Sequence, residues 1–242
     1  MTAHERSDAT ATQARSARLA ACGCSRSGVA RSWTQNANDG IIATAGILEG
    51  FAGAGASDRT LITAATTATI VGMLSVGGAE WAEAAAEREA QLTAADEEAA
   101  EIARQPHVEH AEVVAYYEAK GLTPQLAREV ADQLMARDAV GAQLESEHGI
   151  LEIMSRAETV RAGIGSAIAY LLGAAIPLIV TAVVPATVES SLILAAVFVS
   201  LIVTSGIGAR TGHMNLPRTL ARALTVGLGT MAVSYLAGSL IF

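Results

Sequence analysis

The chain has 242 residues, 51% of them hydrophobic and 17% charged, with a formal net charge of −8. A mean hydropathy of +0.38 is too high for an ordinary soluble domain unless charged and apolar residues are segregated along the chain. They are segregated, since most of the 24 acidic residues fall between Glu80 and Thr159, and with no basic face nucleic acid is excluded as a partner.

Residues 1–35 carry Arg6, Arg15, Arg18, Arg26 and Arg31 and lack the apolar core of a secretory signal. Their polar composition predicts a disordered cytoplasmic leader. Cys22 and Cys24, the only cysteines, lie in it. A C-x-C pair binds a soft metal, closes a strained disulfide, or is a pair of incidental thiols in a tail.

Residues 36–81 read as two transmembrane helices. The first, about 40–56, grows out of NANDGIIATAGILEGFAGAG and carries Asp39 and Glu49. A carboxylate within a span faces a bundle interior or an aqueous path. Asp39 has a second explanation, as a cap at the start of the helix. Glu49 has none: ten residues further on, it lies about 15 Å along the axis, near the middle of the membrane. Gly46, Gly50 and Gly53 around it allow a neighbouring helix to come close. The second span, 61–81, contains Thr63, Thr66, Thr67 and Thr69, whose hydroxyls can bond back to their own helix or across to a neighbour.

Residues 82–160 read as an acidic helical domain. The second span continues without Gly or Pro to about residue 103, and Pro106 ends it. A helix over 107–120 is closed by Gly121. Thr123-Pro124 starts the next, with Leu126, Val130 and Leu134 at helical spacing, and a fourth, 139–148, stops at Gly149. Glu80, Glu83 and Glu87 share one helical face, either bridged by a divalent cation or solvated. Glu98 with Glu101, and Glu109 with Glu112, flank the Pro106 turn, so a helical hairpin could gather four carboxylates. Oxygen ligands suit Mn(II), Fe(II), Mg and Ca, and imidazole from His107, His110 or His148 shifts the preference toward transition metals. On spacing alone, a solvated acidic surface is the other reading.

Residues 161–242 hold three more spans: 162–184 with Pro177, 190–209 after a turn at 185–189, and 218–242. Lys and Arg near the span ends place the N-terminus in the cytoplasm. The loop with Arg210, Arg218 and Arg222 falls on the same side, and the C-terminus falls outside.

The paired stretches NDGIIATAGILEGFAGAG (38–55) and GMLSVGGAEWAEAAAERE (72–89), followed by YYEAKGLTPQLAREVADQL (116–134), resemble the vacuolar iron transporter (VIT) family. The resemblance implies an all-α membrane protein of five transmembrane helices, with a cytoplasmic metal-binding domain inserted between the second and third spans. It implies a homodimer that moves Fe(II), and in many members Mn(II), out of the cytoplasm in exchange for protons. It also implies that no prosthetic group and no catalytic residue is needed, so the protein is not expected to be an enzyme. Asp39 matches the family's first-span Asp, and Glu80 the acidic residue of its G-E-Y motif. Glu98, Glu101, Glu109 and Glu112 match carboxylates of the metal-binding domain, and Glu147 a further ligand. The second-span Met of the family falls at Val76, with Met73 one turn away, and the intramembrane Glu of some members falls at Ala68. Methionines that join the metal site elsewhere fall near Gln143 and Leu144. With sulfur ligands scarce, Mn(II) is expected to suit the site at least as well as Fe(II).

The expected transport path is thus Asp39, Glu49, Met73 and Glu80. The expected metal ligands are Glu98, Glu101, Glu109, Glu112 and Glu147, with Glu83 and Glu87 alongside. The expected setting is a bacterial or plasma membrane. Three alternatives stand beside this reading. One is a divalent-cation channel without proton coupling. The second is a diiron enzyme or store built on the E-x-x-H of Glu145 and His148. The third is a membrane-anchored acidic metal-binding or interaction module without transport.

Overall fold

A computed structural model describes residues 26–184, 189–211 and 214–241. The described chain is helical, without strands: α1 (Arg26–Gly53), α2 (Asp58–Arg104), α3 (Pro106–Ala119), α4 (Pro124–Gln143), a π-helical turn (Leu144–His148), α5 (Arg156–Val183), α6 (Glu189–Thr211) and α7 (Leu216–Ile241). It divides into two compact units, an apolar one whose described part lies within 26–82 and 160–241, and an acidic one whose described part is 83–159.

In the apolar unit four helices are long and apolar enough to cross a membrane: the N-terminal part of α2, then α5, α6 and α7. The fifth expected span, α1, is not among them, because Asn36, Asn38, Asp39 and Glu49 lower its hydropathy. For Asn36 and Glu49 the cost in lipid is avoided by position, since both are buried where α1 packs against other helices of the unit, whereas Asp39 is exposed. Ile41, Ala45 and Leu48 of α1 form a core with Leu61 and Ala65 of α2, Ile193, Val197 and Leu201 of α6, and Met231 of α7. Most exposed apolar side chains lie on the other helices, among them Val71 and Leu74 on α2, Val199 and Val203 on α6, Val233 and Leu236 on α7, while α1 exposes Trp33 and Phe51.

Small residues let backbones meet. A methyl group added at Gly173 of α5 would overlap the carbonyl oxygen of Ala37, and one at Gly238 of α7 would overlap that of Gly50. Hydroxyls serve as expected: Thr63 donates to the Arg59 carbonyl at 2.8 Å, and Thr69 meets Thr44 of α1 at 3.2 Å in a buried contact.

One boundary differs from the sequence expectation. The leader was expected to be disordered through residue 35, yet α1 begins at Arg26. Tertiary contacts within the unit account for the added turns. Thr34 is buried with its hydroxyl against Gly208 of α6, while Ser32 and Asn36 both donate to Glu80 Oε1 of α2 at 3.4 Å. Asp39 is therefore well inside a helix, which removes its explanation as an N-terminal cap. Cys22, Cys24 and most of the expected 185–189 turn lie outside the described residues.

In the acidic unit, α2 runs unbroken to Arg104, a helix of 47 residues, and Pro106 opens α3. Gly121 at φ +99° follows α3, and Gly149 at φ +68° ends the π turn; both conformations are strained for any residue with a Cβ. Thr123 caps α4 through the Leu126 amide. The expected break near 138 is a kink within α4: Asp138 leaves helical geometry at φ −156°, ψ 88°, and its Oδ1 accepts from the Gly141 amide at 2.9 Å. The face of α4 that packs is one residue away from the expected stripe. Ala127 and Ala131 are buried with Val113 and Val114 of α3, whereas Leu126 is 48% exposed. Alanines allow the two helices a closer approach than leucines would.

Candidate metal site

Two carboxylates are nearly absent from the surface of the acidic unit, Glu98 at 3% and Glu109 at 4% exposure. A buried carboxylate is costly unless it is paired, hydrogen-bonded or bound to a metal. Glu98 Oε1 lies 3.1 Å from His148 Nε2, while its Oε2 is buried with no hydrogen-bond partner among the described residues. Glu109 Oε2 accepts from the Gln143 amide.

Around these two, three overlapping groups have ligand atoms within 4.8 Å of one another: Glu98 with Glu147 and His148, Glu98 with Glu101 and Glu109, and Glu109 with Glu112 and Glu147. Glu98 and Glu109 are shared, so the groups form one continuous array of five carboxylates and an imidazole. α2 supplies Glu98 and Glu101, α3 supplies Glu109 and Glu112, and the π turn supplies Glu147 and His148. A π turn shifts the register of the residues after it, and here it delivers two adjacent residues to the same array.

The electrostatics of the array are those of crowded carboxylates. The Glu112 carboxyl is pushed above the usual range by its hydrogen bond to Glu147, then by burial and by the charges of Glu147 and Glu101; a hydrogen bond from Gln143 acts the other way. Carboxylates that share a proton at this range exchange it for a cation. The donor set is oxygen with one imidazole and no sulfur, which fits a divalent ion such as Mn(II) or Fe(II). The orphaned Glu98 oxygen offers it a ligand atom.

The four carboxylates expected to meet across the Pro106 turn do so, joined by Glu147. Glu83 and Glu87 do not: both are exposed and outside the array, and Glu87 accepts from Gln91 at 2.9 Å. Glu80 accepts from Ser32 and Asn36 at 3.4 Å. Among the described histidines only His148 takes part, and His110 pairs with Asp132 at 2.6 Å. The E-x-x-H pattern is not assembled either, since Glu145 pairs with Lys120 at 3.3 Å while His148 turns to Glu98. In the apolar unit Asp39 is exposed on α1, Glu49 is 5% exposed, and Met73 is half-buried. Sequence reasoning missed the supporting roles of Gln143, Ser146, Ser32 and Asn36, whose only signal is polar character at positions that pack.

Apolar helices of membrane-crossing length, joined in one chain to a carboxylate–imidazole array, define an integral membrane protein that handles metal ions. The comparison with known proteins is specific. The chain belongs to the VIT family, whose profile matches residues 30–239. It is similar to a vacuolar iron transporter of Acanthamoeba castellanii (strain ATCC 30010 / Neff), 30% identical over 212 residues that cover 84% of this chain and 78% of that protein. Membership makes the protein a multi-pass membrane metal transporter, from a family of transporters and not of enzymes.

Proposed function

We propose that the protein exports Mn(II) or Fe(II) from the cytoplasm in exchange for protons. The observation that carries this reading is the carboxylate–imidazole array built around the buried Glu98 and Glu109, with an unpartnered carboxylate oxygen inside it. The metal is cargo. In this reading the acidic unit lies in the cytoplasm and collects the ion on Glu98, Glu101, Glu109, Glu112, Glu147 and His148. Asp39 receives it at the membrane, and α1 serves as the fifth span. Glu49, buried in α1 about 15 Å from Asp39, takes the ion or the counter-moving proton at mid-depth, with Met73 and Glu80 beside the path. A carboxylate suits each step because it binds a hard cation and, when burial disfavours its charge, exchanges it for a proton.

Two features support the finer points. Asp39 is exposed on the surface of α1 in a single chain, where it would face lipid; a second copy covering α1 removes that cost, hence a homodimer. The absence of sulfur from the array supports Mn(II) beside the iron for which the relative is named. From the distribution of arginines we place the N-terminus inside and the C-terminus outside, and we take the membrane to be a bacterial or plasma membrane. Export removes metal from the cytoplasm there as it would into a vacuole.

The test is Mn(II) and Fe(II) flux in proteoliposomes with and without an opposed pH gradient, for the wild type, Asp39→Ala and Glu49→Gln. Gradient-driven flux that Asp39→Ala abolishes is expected, and Glu49→Gln is expected to alter its pH dependence. Flux of both ions that ignores the gradient would mean an uncoupled channel. No flux from a well-folded wild type would leave an acidic metal-binding or interaction module.

A further inference from the structure

From residue 190 to residue 242 there is no Asp or Glu, while Arg210, Arg218 and Arg222 flank the connection between α6 and α7. All three side chains are exposed, and none has an ion-pair partner among the described residues. In a chain of net charge −8 this end of the helix pair is a local excess of positive charge. Arg218 and Arg222 also stand in the first two turns of α7, where the helix dipole disfavours cations. The backbone there already has its partner, since Asn215 Oδ1 accepts from the Arg218 amide at 3.2 Å. What is left unanswered is the charge of the guanidinium groups.

Four residues apart, the two arginines of α7 lie one above the other on one helical face. The same face continues through Val226, Val233 and Leu236, all exposed. The packed side of α7 is a different one, where Met231 joins the core. Of the four apolar spans α7 is the least buried. From Arg222 to Ile241 the helix rises about 28 Å, with no charged residue between them. That is close to the ~30 Å of a bilayer's hydrocarbon core. Arg222 therefore stands at the edge of the core and Arg218 one turn further out, at the depth of the lipid phosphates.

We infer that the arginine end of α7 is a binding site for an anionic phospholipid: Arg218 and Arg222 hold the headgroup phosphate, and the apolar face that continues from them carries an acyl chain. A guanidinium suits this because its planar fork matches two phosphate oxygens at once. Arg210, at the end of α6, adds a third positive charge beside the same connection. The choline or ethanolamine of a zwitterionic lipid would bring a further cation to the arginines, so the headgroup that fits carries net negative charge. The site uses none of the residues proposed to carry metal, and it does not depend on which ion is transported.

The test is a titration of the full-length protein in detergent with phosphatidylglycerol and with phosphatidylcholine, the bound lipid being counted by native mass spectrometry. The wild type is expected to bind phosphatidylglycerol the more tightly. An arginine beside anionic lipid contributes about fivefold in affinity, so Arg218→Gln with Arg222→Gln should weaken phosphatidylglycerol about 30-fold and phosphatidylcholine far less. Arg59→Gln, which removes an exposed arginine at the start of α2, should change neither. Equal affinity of the wild type for the two lipids overturns the site. So does a loss as large from Arg59→Gln, since any surface arginine would then attract the lipid. Soluble glycerophosphate offers the phosphate without the chains; if it displaces phosphatidylglycerol at equal concentration, the site is one for free phosphate esters and the lipid assignment fails. If the double variant does not insert, the two single substitutions are read in its place: a loss of about fivefold in each supports the site, and an unchanged affinity in both overturns it.

Discussion

Val113 is fully buried on α3, one residue from Glu112 and one turn from Glu109. It packs with Val114, Ala127 and Ala131, bordered by Tyr117, Leu122, Met135 and Ala142. Val113→Ala removes roughly 1.6 kcal/mol of transfer free energy, at ~0.8 kcal/mol per methylene equivalent. The cavity left behind brings the loss to about 2 kcal/mol. In so small a core this is a large share of the whole, since a helical unit of this size holds only a few kcal/mol. Two kcal/mol is about a 30-fold rise in the population of the opened acidic unit. Hydrogen exchange read by mass spectrometry on α3 and α4 of the full chain should show that acceleration without metal. Mn(II) at about 100 times its dissociation constant returns ~2.7 kcal/mol by mass action, more than the mutation removes. Protection should therefore recover when metal is added. If the variant exchanges at the wild-type rate without metal, or stays unprotected with it, the claim that this core holds the ligand helices in place is wrong.

The raised Glu112 carboxyl predicts two pH effects with opposite signs. Its folded value lies above its unfolded one, so the metal-free acidic unit is most stable below the unfolded value and loses stability as pH rises through the folded one. Metal binding, which needs the carboxylate, weakens as pH falls through the same window. Glu112→Gln should flatten the metal-free melting profile against pH and lower metal affinity; a profile as steep as the wild type's would exclude Glu112 as the source. In the apolar unit, Gly238→Val should lower the melting temperature in detergent, because its side chain meets the Gly50 carbonyl, and overpacking of this kind costs about 1–3 kcal/mol. Gly229→Val, with open space around it, is the control and should melt close to wild type.

The amino-acid sequence by itself determined the features that depend on near neighbours. Charge segregation and apolar runs marked most of the spans, and Pro106, Gly121, Thr123-Pro124 and Gly149 marked the ends of helices in the acidic unit, because caps and breaks are local chemistry. The i, i+3 pairs across the Pro106 turn could be matched for the same reason. Tertiary structure decided what depends on residues far apart. It extended α1 back to Arg26, because Thr34, Ser32 and Asn36 find partners on α6 and α2. It left Glu83 and Glu87 on the surface while gathering Glu147 and His148, which a π turn brings to Glu98 some fifty residues away in sequence. It sent Glu145 to Lys120 and buried Gln143 against Glu109. Spacing along a helix says which side chains share a face. Which face is buried, and which partner answers each carboxylate there, is settled only when distant segments pack and water is excluded.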